Sequence, residues 1–205
     1  MLYTILSKIT VITFWFLIAP FSTPRYITGK EHIRNLGYPF ILAANHEARI
    51  DPVVIACIIA NIQKTLNDIR FITYYKFMEM PILGWYLTQM QCFKVKSKQG
   101  LGILNPALTF LEGQQGAVGI FPEGVVVKKT EKDRKAKRGV GYLAYHSKSP
   151  ILPVYIQYHR KKLLPGYWIE VHFGEPYQAV TSQDSEQNLE QISSRILAGI
   201  YDIPN

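Results

Sequence analysis

The sequence predicts an α/β fold: a single domain with a largely parallel central sheet flanked by helices, preceded by an N-terminal hydrophobic membrane-anchoring helix. Three observations predict it. Short apolar runs alternate with helix-periodic stretches along most of the chain, the pattern of strand–helix–strand units. No internal repeat or low-complexity linker divides the 205 residues, a length that suits one domain with a sizeable core. The first 21 residues, MLYTILSKITVITFWFLIAPF, are far more apolar than the rest of the chain.

That leading segment sets the first division, residues 1–24 as a hydrophobic anchor and 25–205 as the folded body. A secretory signal peptide needs a small-residue cleavage site, and none is convincing. A transmembrane helix needs about 20 apolar residues, and Lys8 interrupts the run. Leu2, Ile5, Leu6, Ile9, Ile12 and Phe16 fall at helical spacing, and Trp15 suits the headgroup zone, so an interfacial anchor fits best. A span and an ordinary core helix stay open. Lys8, Arg25 and Lys30 flank the segment and put the body on the cytoplasmic side of a membrane.

The remaining elements come in order. Phe40-Ile-Leu-Ala-Ala44 reads as a buried strand, 52–60 as a helix, 70–74 as a strand and 81–90 as a helix. A short strand spans 92–95. Residues 100–112 are helical, with Pro106 marking a start or a kink. A strand at 117–121 opens into a Pro-Glu-Gly turn, and 139–146 is helical. Two strands, 151–158 and 168–173, are joined through a basic Pro-Gly loop, and 183–198 forms a terminal helix.

Composition narrows the function classes. Apolar residues make up 48% and charged residues 19%, which excludes a disordered chain. The net charge of +8 invites an anionic partner, such as a phospholipid, a phosphorylated substrate, coenzyme A or nucleic acid. No motif or basic recognition helix supports nucleic acid. Cys57 and Cys92 form neither a disulfide framework nor a metal spacing, and both sit in apolar stretches as packing residues, against a cysteine nucleophile.

Sites in parallel sheets collect at the carboxyl ends of strands, and two polar constellations fall there. The first is Asn45-His46-Glu47-Ala48-Arg49-Ile50-Asp51-Pro52. Pro52 disfavours helical geometry at Asp51 and suits a first helical position, so Asp51 reads as an N-cap and 46–50 as a loop. Such a loop can fold His46 back onto Asp51, where a carboxylate on one ring nitrogen frees the other to take a proton. A capping aspartate beside an ordinary loop histidine is the bland alternative. The second constellation is Gly119-Ile-Phe-Pro-Glu-Gly124, whose glycines allow close backbone approach and whose carboxylate can bind a hydroxyl or a cation. Between 128 and 138 lie seven basic and two acidic residues, suited to a solvated loop or to anionic headgroups.

From about Leu36 to Pro176 these features resemble the glycerophospholipid acyltransferase family, of the lysophosphatidic acid acyltransferase type. Asn45-His46 with Asp51-Pro52 looks like its NHxxxxD block. Tyr74-Tyr-Lys76 and Met80-Pro-Ile-Leu-Gly-Trp85 are similar to its lysine-then-proline-glycine-tryptophan segment. Phe93-Lys-Val-Lys96 resembles the second block, with lysine where arginine is usual, which keeps the charge but not the bidentate fork. Phe121-Pro-Glu-Gly124 resembles the third block. Lys137-Arg-Gly139, Pro150-Ile-Leu-Pro-Val154 and His172-Phe-Gly-Glu-Pro176 follow in the family's order.

The resemblance implies a membrane-associated enzyme that moves a fatty-acyl group from acyl-coenzyme A or acyl carrier protein to a lyso-lipid hydroxyl, among membrane phospholipids. His46 and Asp51 would be catalytic. Asn45, Lys76, Lys96, Phe121, Pro122, Glu123 and Gly124 would bind substrate. No metal and no cofactor are implied, because coenzyme A or the carrier protein enters as substrate. One departure stands out. The family usually follows Glu-Gly with threonine, arginine and serine, and that arginine helps hold the acceptor phosphate. Here Val125-Val126-Val127 stand instead. Lys76, Lys96, Lys128 or Lys129 would then supply the charge, the acceptor would be a different lyso-lipid, or the chain would be a non-catalytic membrane-binding member.

Overall fold

The buried strand expected at 40–44 lies at the middle of the sheet, and the rest of the fold is ordered about it. The structure is a computed structural model describing residues 9, 12–13, 22–34, 36–63, 68–96, 99–114, 116–127, 134–162 and 166–203. In chain order the elements are β1 (Ser22–Thr28), α1 (Lys30–Arg34), β2 (Phe40–Ala44), α2 (Asp51–Gln63), β3 (Ile69–Tyr74), α3 (Tyr75–Met78), α4 (Pro81–Gln89), β4 (Phe93–Val95), α5 (Asn105–Glu112), β5 (Ala117–Ile120), α6 (Gly139–Ser147), β6 (Ile151–Arg160), β7 (Tyr167–Phe173) and α7 (Leu189–Asp202). Short 3₁₀ turns at Leu101–Leu104 and Glu186–Asn188 lead into α5 and α7.

Seven strands form one sheet in the order β1-β7-β6-β2-β5-β3-β4. β6, β2, β5, β3 and β4 run parallel to one another, while β7 pairs antiparallel with β6 and parallel with β1. The sheet is therefore largely parallel, as expected, with the two strands at one end of it, β1 and β7, reversed. β2 is buried along its whole length, the signature of a strand covered on both faces.

Two apolar layers cover it. On one face Ile33 of α1 and Val54, Ile55, Ile58 and Ile59 of α2 pack against Phe40, Leu42, Ala44, Leu152, Val154 and Ile156. On the other, Ile41, Ala43, Val118, Ile151 and Tyr155 meet Phe110 and Leu111 of α5, Val140 and Leu143 of α6, and Ile192, Ile196 and Ile200 of α7. Alternate residues of β2 serve opposite layers, as the strand period of two requires.

β1, α1 and α3 were not legible in the sequence. Pro24 interrupts β1 and produces a register shift there, and α1 and α3 are too short to show a helical period. Pro106 opens α5 rather than kinking a longer helix, because its fixed φ and missing N–H suit the first turn. No helix of the described residues is long and apolar enough to cross a membrane. The anchor expected over residues 1–24 lies almost wholly outside the described residues. So do Lys128 and Lys129.

Candidate active site

The parallel strands β6, β2, β5, β3 and β4 all end at one edge of the sheet, and their following loops carry the polar residues. β2 runs into Asn45 and His46. There the ladder between β2 and β6 stops at Ala44 opposite Val154. The Asn45 side chain continues it, donating from Nδ2 to the Ile156 carbonyl (2.8 Å) and accepting from the Ile156 amide (2.7 Å). A primary amide can stand in for a peptide unit because it offers donor and acceptor in one plane. Asn45, expected among the substrate-binding residues, is thus fully buried and occupied in joining strands.

Beyond it the chain turns back on Asp51. His46 Nδ1 lies 2.9 Å from Asp51 Oδ2. The same oxygen accepts from the amides of Glu47 (2.9 Å) and Ala48 (2.9 Å), and Oδ1 accepts from the Tyr158 hydroxyl (2.6 Å). Asp51 is completely buried. It is not the helix N-cap the sequence predicts. It is the first residue of α2, and its carboxylate reaches backward to gather the loop instead of forward to cap the helix. The bond closing the first turn of α2, from the Val54 amide, goes to the Ile50 carbonyl. Donors on every side suit an ionised carboxylate, which only accepts. With Nδ1 donating to it, Nε2 is the nitrogen left to accept a proton.

Three further bonds hold the loop. The Val127 amide donates to the His46 carbonyl (2.8 Å), the Tyr158 amide to Glu47 Oε2 (3.2 Å) and the His46 amide to Glu123 Oε2 (2.8 Å). Beneath the imidazole lies Phe121, stacked at 4.0 Å and 20°, and Phe71 of β3 stacks in turn on Phe121. This row of rings depends on Gly119, since a Cβ there would lie 2.4 Å from the Phe71 ring.

The Pro-Glu-Gly turn closes with the Gly124 amide on the Phe121 carbonyl (2.9 Å), and Gly124 takes φ +67°, the left-handed region that favours glycine. The Pro122 carbonyl accepts from the Lys137 amide (2.8 Å). Glu123, expected to bind the acceptor, is buried and turned inward. Besides the His46 amide it accepts the Tyr201 hydroxyl from α7, and Arg134 lies 4.0 Å from Oε1 with its guanidinium over the Tyr201 ring. Its work in this structure is to join the His46 loop to the terminal helix. Burial pushes the Glu123 carboxyl above its usual range, against the opposing pull of the Tyr201 and His46 hydrogen bonds and the nearby Arg134 charge. Burial raises the Tyr158 and Tyr201 hydroxyls as well, and the carboxylate beside each adds to it, so both stay protonated and donate.

Lys76 on α3 and Lys96 after β4 share this edge, and both are exposed. Their strands stand two and three places from β2, about 10 Å and 14 Å to one side at the usual strand spacing. Lys96 Nζ sits over the Tyr75 ring at 5.0 Å. Val127 is buried, while Val125 and Val126 are 55% and 40% exposed beside the turn. Burial drives the Cys57 thiol up to about 12 and also raises Cys92, so both remain in the unreactive thiol form that packing residues keep. Tyr158, Tyr201, Arg134 and Glu47 were missed by sequence reasoning. The one signal available was a tyrosine following the apolar run of β6.

A buried aspartate bonded to one ring nitrogen of a histidine, at the mouth of an open α/β sheet, is an arrangement that transferase or hydrolase chemistry can use. Comparison with known proteins narrows this. The acyltransferase family model matches residues 25–157. The chain therefore belongs to the acyltransferase family, the glycerophospholipid acyltransferases that its motif order resembles, and is an acyltransferase by that membership. No curated protein sequence matches it. Among solved structures it is similar to the crystal structure of the 1-acyl-sn-glycerophosphate (LPA) acyltransferase PlsC from Thermotoga maritima. The TM-score is 0.62 and the identity 20%, over 98% of this chain and 79% of that one. At that identity the likeness speaks for the fold.

Proposed function

We propose that this protein transfers a fatty-acyl group from an acyl thioester, carried on coenzyme A or acyl carrier protein, to the hydroxyl of a lysophospholipid, in the manner of lysophosphatidic acid giving phosphatidic acid. The observation that carries the reading is the 2.9 Å contact of His46 Nδ1 with an Asp51 carboxylate held by three further donors. An alcohol is a weak nucleophile at neutral pH. Nε2 of His46 removes its proton while the oxygen attacks the thioester carbonyl, worth roughly 10²–10⁴ in rate for a positioned base. The tetrahedral intermediate then collapses, the C–S bond breaks, and the proton on Nε2 passes to the departing sulfur. The products are an ester and a free thiol, with no acyl-enzyme between. Asp51 holds the tautomer and steadies the transient imidazolium.

The exposed Val125 and Val126 favour a second reading of the acceptor alone. They put an apolar rim where relatives keep an arginine for phosphate. Of the cations described beside the turn, Arg134 faces Glu123 from inside the cluster, and the Lys137 side chain lies against Gly124. A lysine there offers a point charge without the guanidinium fork. An acceptor without a simple phosphate ester fits such a rim. We place the enzyme at a membrane surface, on its cytoplasmic face, because both reaction partners carry acyl chains and the chain is basic.

The test is acyl transfer by the purified protein in mixed micelles. Acyl-coenzyme A and acyl carrier protein serve as donors, with a panel of phosphate-bearing and phosphate-free lyso-lipids, and His46→Ala runs beside the wild type. Product that vanishes in the variant supports the reading and identifies the acceptor. Equal turnover by both proteins would end the assignment of His46 as base. No product from any pair would leave a binding protein.

A further inference from the structure

Large apolar side chains are seldom turned to water in groups, and five of them are here within residues 74–85. Ile82 is 85% exposed, Trp85 54% and Met80 50%, with Leu83 and Tyr74 exposed beside them. The cause lies in how α4 is seated. Gly84 is its one buried residue, and a Cβ there would lie 2.1 Å from the Met78 carbonyl, so the helix backbone presses directly on α3. At about 100° per residue, Ile82 and Trp85 fall on the side of the helix away from Gly84. The seat that accommodates Gly84 thus turns the bulky residues outward.

The surroundings of this face carry positive charge. Lys76 on α3, Lys94 on the edge strand β4 and Lys96 are all exposed, and Lys96 stands over the Tyr75 ring. Glu79 is the exposed acid between α3 and α4, and α4 itself bears no carboxylate. α3 and α4 follow β3, next to β5 in the sheet, so they leave the same carboxyl edge as the turn that carries Val125 and Val126. Tryptophan and tyrosine with isoleucine and leucine, ringed by lysine, is the chemistry that enters the headgroup layer of an anionic bilayer.

We propose that α4 lies in the plane of an anionic phospholipid surface, with Ile82 and Trp85 in the acyl boundary and Lys76, Lys94 and Lys96 at the headgroups. The site mouth is then held against the membrane independently of residues 1–24. This rests on the lipid-acceptor reading above for its choice of a bilayer over a protein partner. An acidic carrier protein or a second copy of the chain would use the same apolar and cationic features, and the experiment separates them.

The test uses the full chain with Trp15→Phe and Trp168→Phe, so that Trp85 alone reports. Vesicles contain phosphatidylcholine with about one third phosphatidylglycerol, plain or brominated in the acyl chains. Trp85 emission should move to shorter wavelength and be quenched by the brominated lipid, more weakly without phosphatidylglycerol. In the otherwise native chain, Ile82→Glu with Trp85→Glu should weaken vesicle binding about tenfold, as expected for withdrawing large apolar side chains from hydrocarbon. That variant should also slow turnover of a vesicle-borne acceptor by a similar factor while leaving a short-chain, fully soluble donor–acceptor pair unaffected. Absence of quenching, or unchanged vesicle binding in the double variant, would overturn the proposal. So would a Trp85 shift produced instead by an acidic carrier protein or by raising protein concentration without lipid. If the wild type turns over neither acceptor, the acyl-transfer reading fails, and Trp85 quenching still decides the docking face.

Discussion

His46 with Asp51 and His159 with Glu170 are both histidine–carboxylate pairs near the carboxyl end of a central strand, and they are built in opposite ways. Asp51 is fully buried and saturated by donors from two elements, so it presents a fixed acceptor to His46. Glu170 lies on β7, partly open to solvent, and is shared between His159 (3.3 Å) and His172 (3.7 Å). The His159 Nε2 makes no hydrogen bond despite that approach. Its ring is flat against Trp168, 3.8 Å away at 5°, and His172 is occupied with Thr28 (2.8 Å). Tyr158 and His159 are neighbours on β6, yet strand alternation sends one into the Asp51 network and the other to the opposite face. Proximity of a carboxylate does not by itself orient a ring, whereas a buried carboxylate held by three further donors does.

The largest break of this comparison is His46→Ala, which should lower turnover at least about a hundredfold while leaving the far-UV circular dichroism unchanged. Asp51→Asn comes next, at about 10²-fold or more in kcat, because an amide can present N–H to the imidazole and favour the wrong tautomer. A KM close to wild type with the kcat loss would place the effect on orientation. Tyr158→Phe sharpens the contrast. It removes one donor from a buried carboxylate, so it should cost about 1.5–3 kcal/mol in a denaturant titration and several-fold in kcat, whereas loss of stability alone would make the hydroxyl merely structural.

Glu123→Gln tests the second buried carboxylate. Its folded-state pKa is raised, so the folded protein holds that proton at pH values where the unfolded chain has lost it, and stability falls as pH climbs past the unfolded carboxyl value near 4.5 toward the raised one. The glutamine variant should lack this decline, seen as a smaller drop in melting temperature between about pH 4 and pH 8. A curve parallel to wild type would remove Glu123 as its cause. The smallest effect belongs to His159→Ala, with turnover within about twofold of wild type and a modest stability loss from the vacated Trp168 stack. A hundredfold loss there would erase the distinction between the two pairs.

Much of this was legible from residues alone. Phe40-Ile-Leu-Ala-Ala44, an apolar run bounded by polar turns, names a buried strand, and the NHxxxxD spacing names the pair that the fold joins. Pro52 predicts Asp51 at the helix N-cap. The helix does begin there, but which way the carboxylate turns depends on donors at Glu47, Ala48 and Tyr158, one of them 107 residues distant. Sequence spacing carries no information on such a pairing.

What the sequence by itself determined is the set of periodic elements, the parallel character of the sheet and the local residues of the site, because side-chain period and turn chemistry act over a few residues. Tertiary structure alone decided the rest. It reversed β1 and β7, turned Asn45 and Glu123 inward, brought Tyr158 to Asp51 and Tyr201 to Glu123 across scores of residues, and set Arg134 beside that second carboxylate. The physical reason is that buried polar groups must find partners wherever packing puts them, and only the assembled sheet fixes which strand ends and helix faces come within hydrogen-bond reach.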